Sequence, residues 1–77
     1  MTTPDAEGAR VVDARGMRCP WPALRLARAM REAPHVLLIA DDPQAGREVA
    51  ALASEHGWQV EAEPAAGGAE QWRVRRG

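Results

Sequence analysis

The chain contains a single cysteine, Cys19, and its neighbours are those of a reactive thiol. The segment reads Asp13-Ala14-Arg15-Gly16-Met17-Arg18-Cys19-Pro20-Trp21-Pro22. A thiolate, not a thiol, is the nucleophile in sulfur chemistry, and positive charge nearby favours it. Arg15 and Arg18 supply that charge in sequence. Proline after Cys19 disfavours helical angles at the cysteine itself. Cys19 is therefore expected just outside a helix, as its N-cap or one residue earlier. A helix start favours an anion. Pro20 and Pro22 carry no N–H, which leaves the Trp21 N–H as the donor aimed at the sulfur. Helix and arginines together are expected to pull the thiol below its ordinary pKa. A buried structural cysteine is the commoner fate of a lone Cys. Arginine on one side and two prolines on the other do not belong to a core strand or a helix stripe.

The elements that hold this segment are legible from periodicity. Ala9–Asp13 reads as a short strand that Gly16 ends. Pro20–Glu32 reads as a helix, its regular part starting at Pro20 or at Pro22; Ala23, Leu26, Ala27 and Met30 form its apolar stripe and Leu24 flanks it. Val36–Ala40 is a continuous apolar run, which fits a strand covered on both faces or a central strand. Asp42 is a candidate N-cap and Pro43 a first helical residue. Ala45, Val49, Leu52, Ala53 and His56 mark one face of a second helix, closed by Gly57. Residues 58–63 and 71–75 alternate as strands, with Trp72 and Val74 on one face and a Gly-containing turn between the two. The order β-α-β-α-β-β implies an α+β fold, a two-layer sandwich with two helices on one face of a four-stranded mixed sheet. Two crossovers imply parallel pairs, and the last two strands a hairpin. Residues 1–8 are expected to form a flexible N-terminal arm and 9–77 a single domain.

Composition removes several function classes. At 77 residues there is room for one compact domain and not for a deep cofactor cavity. Every basic side chain is Arg, so amine nucleophiles and Schiff bases are excluded. A net charge of -1 argues against DNA as a partner. One Cys permits no internal disulfide and no multi-thiolate metal site. His35 and His56 lie far apart in sequence, so no metal is expected. No stretch has the roughly 20 apolar residues of a membrane helix, and the start has no apolar leader. The expectation is a soluble monomer in a reducing compartment, where a free thiol persists.

Asp13-x-Arg15-Gly16-x-x-Cys19-Pro20-x-Pro22 resembles the motif of the TusA/SirA sulfur-carrier family. The Asp41-Asp42-Pro43 run and the element order are similar to that family over about residues 9–76. The resemblance implies a cytoplasmic sulfurtransferase that holds sulfane sulfur as a persulfide on Cys19 and needs no other cofactor. It implies a cysteine desulfurase or a rhodanese-like protein as donor and a second carrier protein as acceptor. The family's end uses are tRNA thiolation, molybdenum-cofactor maturation and sulfur metabolism. Arg15, Gly16, Arg18, Pro20 and Pro22 then either stabilise the thiolate or fix the loop. If Arg15 fixes the loop, Asp13 is its partner. Trp21, at the variable motif position, and Arg25 and Arg28, three apart on the first helix, are candidate docking residues for an acidic partner. A carrier needs only an exposed sulfur, charge stabilisation and a docking surface, which suits a cysteine with no His or carboxylate close by in sequence.

Two other readings of the same residues stay open. One is an RNA-binding or regulatory module that uses its Arg-rich edges. The other is a redox-sensing thiol, which has no resolving cysteine in the chain and could pair only with a partner or a small thiol.

Overall fold

The computed structural model describes residues 9–76. The proposed arm at residues 1–8 lies outside them. The chain runs β1 (Ala9–Asp13), α1 (Trp21–Glu32), β2 (His35–Ala40), α2 (Ala45–His56), β3 (Gln59–Pro64), a 3-10 turn (Ala66–Gly68) and β4 (Glu70–Arg75). Two helices lie on one face of a mixed four-stranded sheet, the two-layer sandwich expected from the element order.

The strand order is β1-β2-β4-β3. β1 and β2 pair in parallel, as a crossover demands, with Val12 opposite Leu38. The second crossover departs from expectation. β2 and β3 are not neighbours, because β4 inserts between them and pairs antiparallel with both. Side-chain burial accounts for this. Trp72 and Val74 of β4 are both buried and need the centre of the sheet. β3 carries Glu61 and Glu63 and buries no residue fully, so it suits an edge.

The core lies between the sheet and the helices. Val36, Leu38 and Ala40 point into it from β2, while Leu37 and Ile39 on the opposite face stay half-buried. The apolar run is thus a central strand with one covered face. α1 contributes Pro22, Ala23, Leu26, Ala29 and Met30. Ala29 takes the buried place expected for Ala27, which is half-buried. α2 contributes Ala45, Val49 and Ala53; Leu52 is half-buried. His56 is exposed and stacks on Trp58, with ring centroids 4.6 Å apart. Gly57 ends α2 at φ 74°, a left-handed angle that glycine takes without a Cβ penalty.

Candidate active site

The candidate site is the β1–α1 loop, and four contacts shape it. Asp13, at the end of β1, accepts the Arg15 amide at 3.1 Å and the guanidinium through Nε at 2.9 Å and Nη2 at 2.8 Å. Arg15 therefore fixes the loop on Asp13 and is not aimed at the sulfur. The Met17 amide donates to the Ala14 carbonyl at 3.1 Å, and Gly16 sits third in this turn at φ 83°. A type II turn requires a positive φ there. The Gly16 amide donates to Asp41 Oδ1 at 3.0 Å, and the Cys19 amide to Asp42 Oδ2 at 3.1 Å.

Those last two bonds revise the reading of the aspartate pair. Asp42 does not cap α2. The helix begins at Ala45, two residues after Pro43, with Gln44 as a cap that makes no side-chain bond. A carboxylate can cap its own helix or reach a loop amide, and here the loop amide wins. Asp41 and Asp42, at the end of the central strand, hold the cysteine loop across the sheet top.

Cys19 is exposed and stands one residue before the α1 cap, Pro20. The Cys19–Pro20 peptide is cis. Trp21 begins α1, but its N–H donates to the Arg18 carbonyl at 2.9 Å rather than pointing at sulfur. The Leu24 N–H is taken by the Pro20 carbonyl at 3.1 Å. The helix start thus offers the thiol little. Local desolvation, and then the carboxylates of Glu48 and Asp42, push the Cys19 thiol above its ordinary pKa. This reverses the expected direction. The charges nearest in sequence are cationic, but the charges that act on the thiol in the fold come from α2 and the loop before it, and they are acidic. Glu48, Asp41 and Asp42 are the site residues that the sequence reading missed. Their only signal was a paired aspartate at a strand end, which capping explained as well.

The other candidates separate around this loop. Arg18 is exposed and forms no ion pair among the described residues. Pro22 is buried and anchors the helix start. Trp21 stands 60% exposed beside the thiol, with Leu24 at 52% one turn on. Arg25 and Arg28 lie on the other flank of α1. There they line a cleft against β1 with Arg10, which pairs with Glu32. Arg25 also approaches Met17 of the loop, at 4.0 Å from the sulfur.

Two predictions arise here. Asp42→Ala leaves the Cys19 amide without its partner; stability is expected to fall by about 1 kcal/mol and the Cys19 amide to exchange faster, while Asp42→Asn retains an acceptor and most of the protection. Hydrogen exchange at Cys19 distinguishes the two variants. The second concerns pH. Its bonds to Arg15 hold the Asp13 carboxyl at about 2, below its ordinary value of 3.8. A depressed carboxyl stabilises the fold above its unfolded pKa and loses that contribution as pH falls. The Asp13–Arg15 fork is therefore expected to be intact at pH 4 and to open only towards pH 2, read as the midpoint of the Asp13 carboxyl in an NMR titration.

Among the described residues no helix is long and apolar enough to cross a membrane. Comparison with solved structures shows the same fold in a SirA-like protein from Desulfitobacterium hafniense. The match has a TM-score of 0.79 at 24% identity and covers 87% of this chain and 96% of that one. The family model for Sulfurtransferase TusA matches residues 10–76, a span that holds the Asp13–Arg15 fork, the cysteine loop and both aspartates that pin it. With nearly the whole described chain matched, the protein belongs to the TusA sulfurtransferase family.

Proposed function

We propose that the protein carries sulfane sulfur as a persulfide on Cys19. The observation that supports this most directly is an exposed, lone cysteine on a loop whose backbone is pinned at Gly16 and Cys19 by two aspartates. Such a loop presents one sulfur atom in a fixed place while leaving its outer side open to a partner.

The chemistry is two exchanges at sulfur. Cys19 thiolate attacks the outer sulfur of a donor persulfide; the new S–S bond forms on Cys19, the donor's S–S bond breaks, and the donor leaves as a thiolate. An acceptor thiolate then attacks the outer sulfur on Cys19, and Cys19 is released as thiolate. No net oxidation occurs, and no cofactor is needed beyond the carried sulfur. The donor is a cysteine desulfurase or a rhodanese-like protein, the acceptor is a further carrier protein, and the relay is cytoplasmic, feeding tRNA thiolation, molybdenum-cofactor maturation or sulfur metabolism. The carrier works as a monomer. Trp21 stands at the mouth of the site, and Arg25 and Arg28 offer a basic flank to an acidic partner.

An RNA-binding module that stacks bases on its sheet has less support. Alternation and register put Val11, Leu37, Ile39, Gln71 and Arg73 on the open face, while Trp72 is buried beneath the helices. The test is intact mass after incubation with a cysteine desulfurase and cysteine, or with a rhodanese-type protein and thiosulfate. A gain of about 32 Da that reductant reverses and that maps to the Cys19 peptide supports the reading. No gain from either donor refutes it.

A further inference from the structure

A groove of about 240 Å³ runs between α1 and α2, starting at Pro20, the residue after the thiol. Its α1 wall is Ala23, Leu24 and Ala27, and its α2 wall is Ala51 and Leu52. The walls are apolar and three of their five side chains are alanines, so a bulky side chain from outside would fit between the helices. Leu24, 52% exposed, extends the apolar lining of this groove to the surface.

The groove is also polarised. Glu48 and Glu55 form its α2 rim. They are seven residues apart on one helix, which sets them about 10 Å apart along its axis. Glu48 forms no ion pair among the described residues, and Glu55 has the adjacent His56 Nε2 at 3.7 Å. On α1, Arg25 and Arg28 line the cleft on the far flank of that helix and not this groove. An apolar seam with an acidic rim calls for an apolar segment with cationic side chains. We propose that this groove docks a segment of a sulfur-relay partner protein that is apolar along the seam and carries Arg or Lys side chains about 10 Å apart to meet Glu48 and Glu55. The proposal rests on the persulfide-carrier reading above.

Docking there also acts on the sulfur. The charged groups that act on Cys19 are Glu48 from α2 and Asp42 from the loop before α2; Arg18 precedes it in the chain, and Arg15 is turned away onto Asp13. Glu48 belongs both to the groove rim and to the surroundings of the thiol. A cation brought to Glu48 offsets the carboxylate that disfavours the thiolate. Glu48, which lines the groove together with Pro20, is then a positioning residue whose charge adds to local desolvation in disfavouring the thiolate, and a partner cation at Glu48 removes that part of the effect.

The test uses the full chain and two synthetic amphipathic helical peptides. One has leucines at i, i+3, i+4 and i+7 with arginines seven apart beside them; the other has glutamates in place of the arginines. The arginine peptide is expected to shift the backbone NMR signals of Leu24, Ala27, Ala51 and Leu52 and to bind about tenfold more tightly than the glutamate peptide. Glu48→Gln with Glu55→Gln is expected to erase that preference, with folding checked by circular dichroism. The second readout is the pH profile of Cys19 alkylation by iodoacetamide. Saturating arginine peptide, or Glu48→Gln alone, is expected to move the profile to lower pH and raise the rate at pH 7 about threefold. Signals that shift only on the open sheet face, equal affinity for both peptides, or an alkylation profile that neither the peptide nor Glu48→Gln moves would overturn the proposal. Persulfide loading is scored separately by mass. A chain that loads sulfur but ignores the arginine peptide retains the carrier reading and loses the docking one; a chain that binds the peptide but never loads sulfur does the reverse.

Discussion

Cys19→Ser is expected to abolish sulfur loading entirely while leaving the fold unchanged. The serine oxygen cannot accept sulfane sulfur from a donor persulfide at any useful rate, and the chain has no second cysteine to take over. The fold has little reason to respond. The Cys19 side chain is exposed, and its structural contact, the amide bonded to Asp42, is backbone and survives the change. Stability is expected to stay within about 0.5 kcal/mol of wild type. Intact-mass measurement on both proteins with the same donor checks the first part, and urea denaturation the second. Residual loading on the serine variant would place the sulfur elsewhere on the chain and end the case for Cys19 as carrier.

The second large effect is on stability. Leu26→Ala is expected to cost about 2–5 kcal/mol. Leu26 is fully buried where α1 meets the sheet, within the cluster formed by Val12, Met30 and Leu38. Truncating it removes apolar contacts and leaves a cavity that a close-packed core relaxes only partly to fill. A domain of this size holds only about 5–15 kcal/mol in total, so the loss is a large share of it. Leu24→Ala, two residues earlier on the outward side of the same helix and half-exposed, is the control and should stay within about 0.5 kcal/mol. Both are read from the urea midpoint at constant slope. A cost below about 1 kcal/mol for Leu26 would mean that the helix packs on the sheet less tightly than the burial of its stripe indicates.

The contrast between these leucines shows what local pattern can and cannot specify. The 3.6-residue period told which side of α1 turns inward, and Leu26, Met30 and Ala23 are buried as that period requires. It could not tell that Ala29 would pack against the sheet in place of Ala27, because the rotation of a helix about its axis is settled by what it packs on. The same holds for the strands. Alternation placed Trp72 and Val74 on one face, and that face is buried. Nothing local said that β4 would come between β2 and β3, since strand order is a competition among whole strands for the covered centre of the sheet.

For the site, the division falls at the loop itself. Sequence alone determined the lone cysteine, its place before a helix and the glycine that ends the first strand, because each depends on residues no more than a few positions apart; it left Arg15 open between the thiolate and Asp13, and the fold pairs it with Asp13. Tertiary structure decided the electrostatics. Asp41 and Asp42 reach the loop amides across 25 and 23 residues of chain, and Glu48 reaches the thiol from α2. A charge acts through space and not along the chain. The arginines beside Cys19 in sequence promised an activated thiolate, whereas the desolvation that the fold imposes, and then the carboxylates it brings beside the thiol, raise the thiol's pKa.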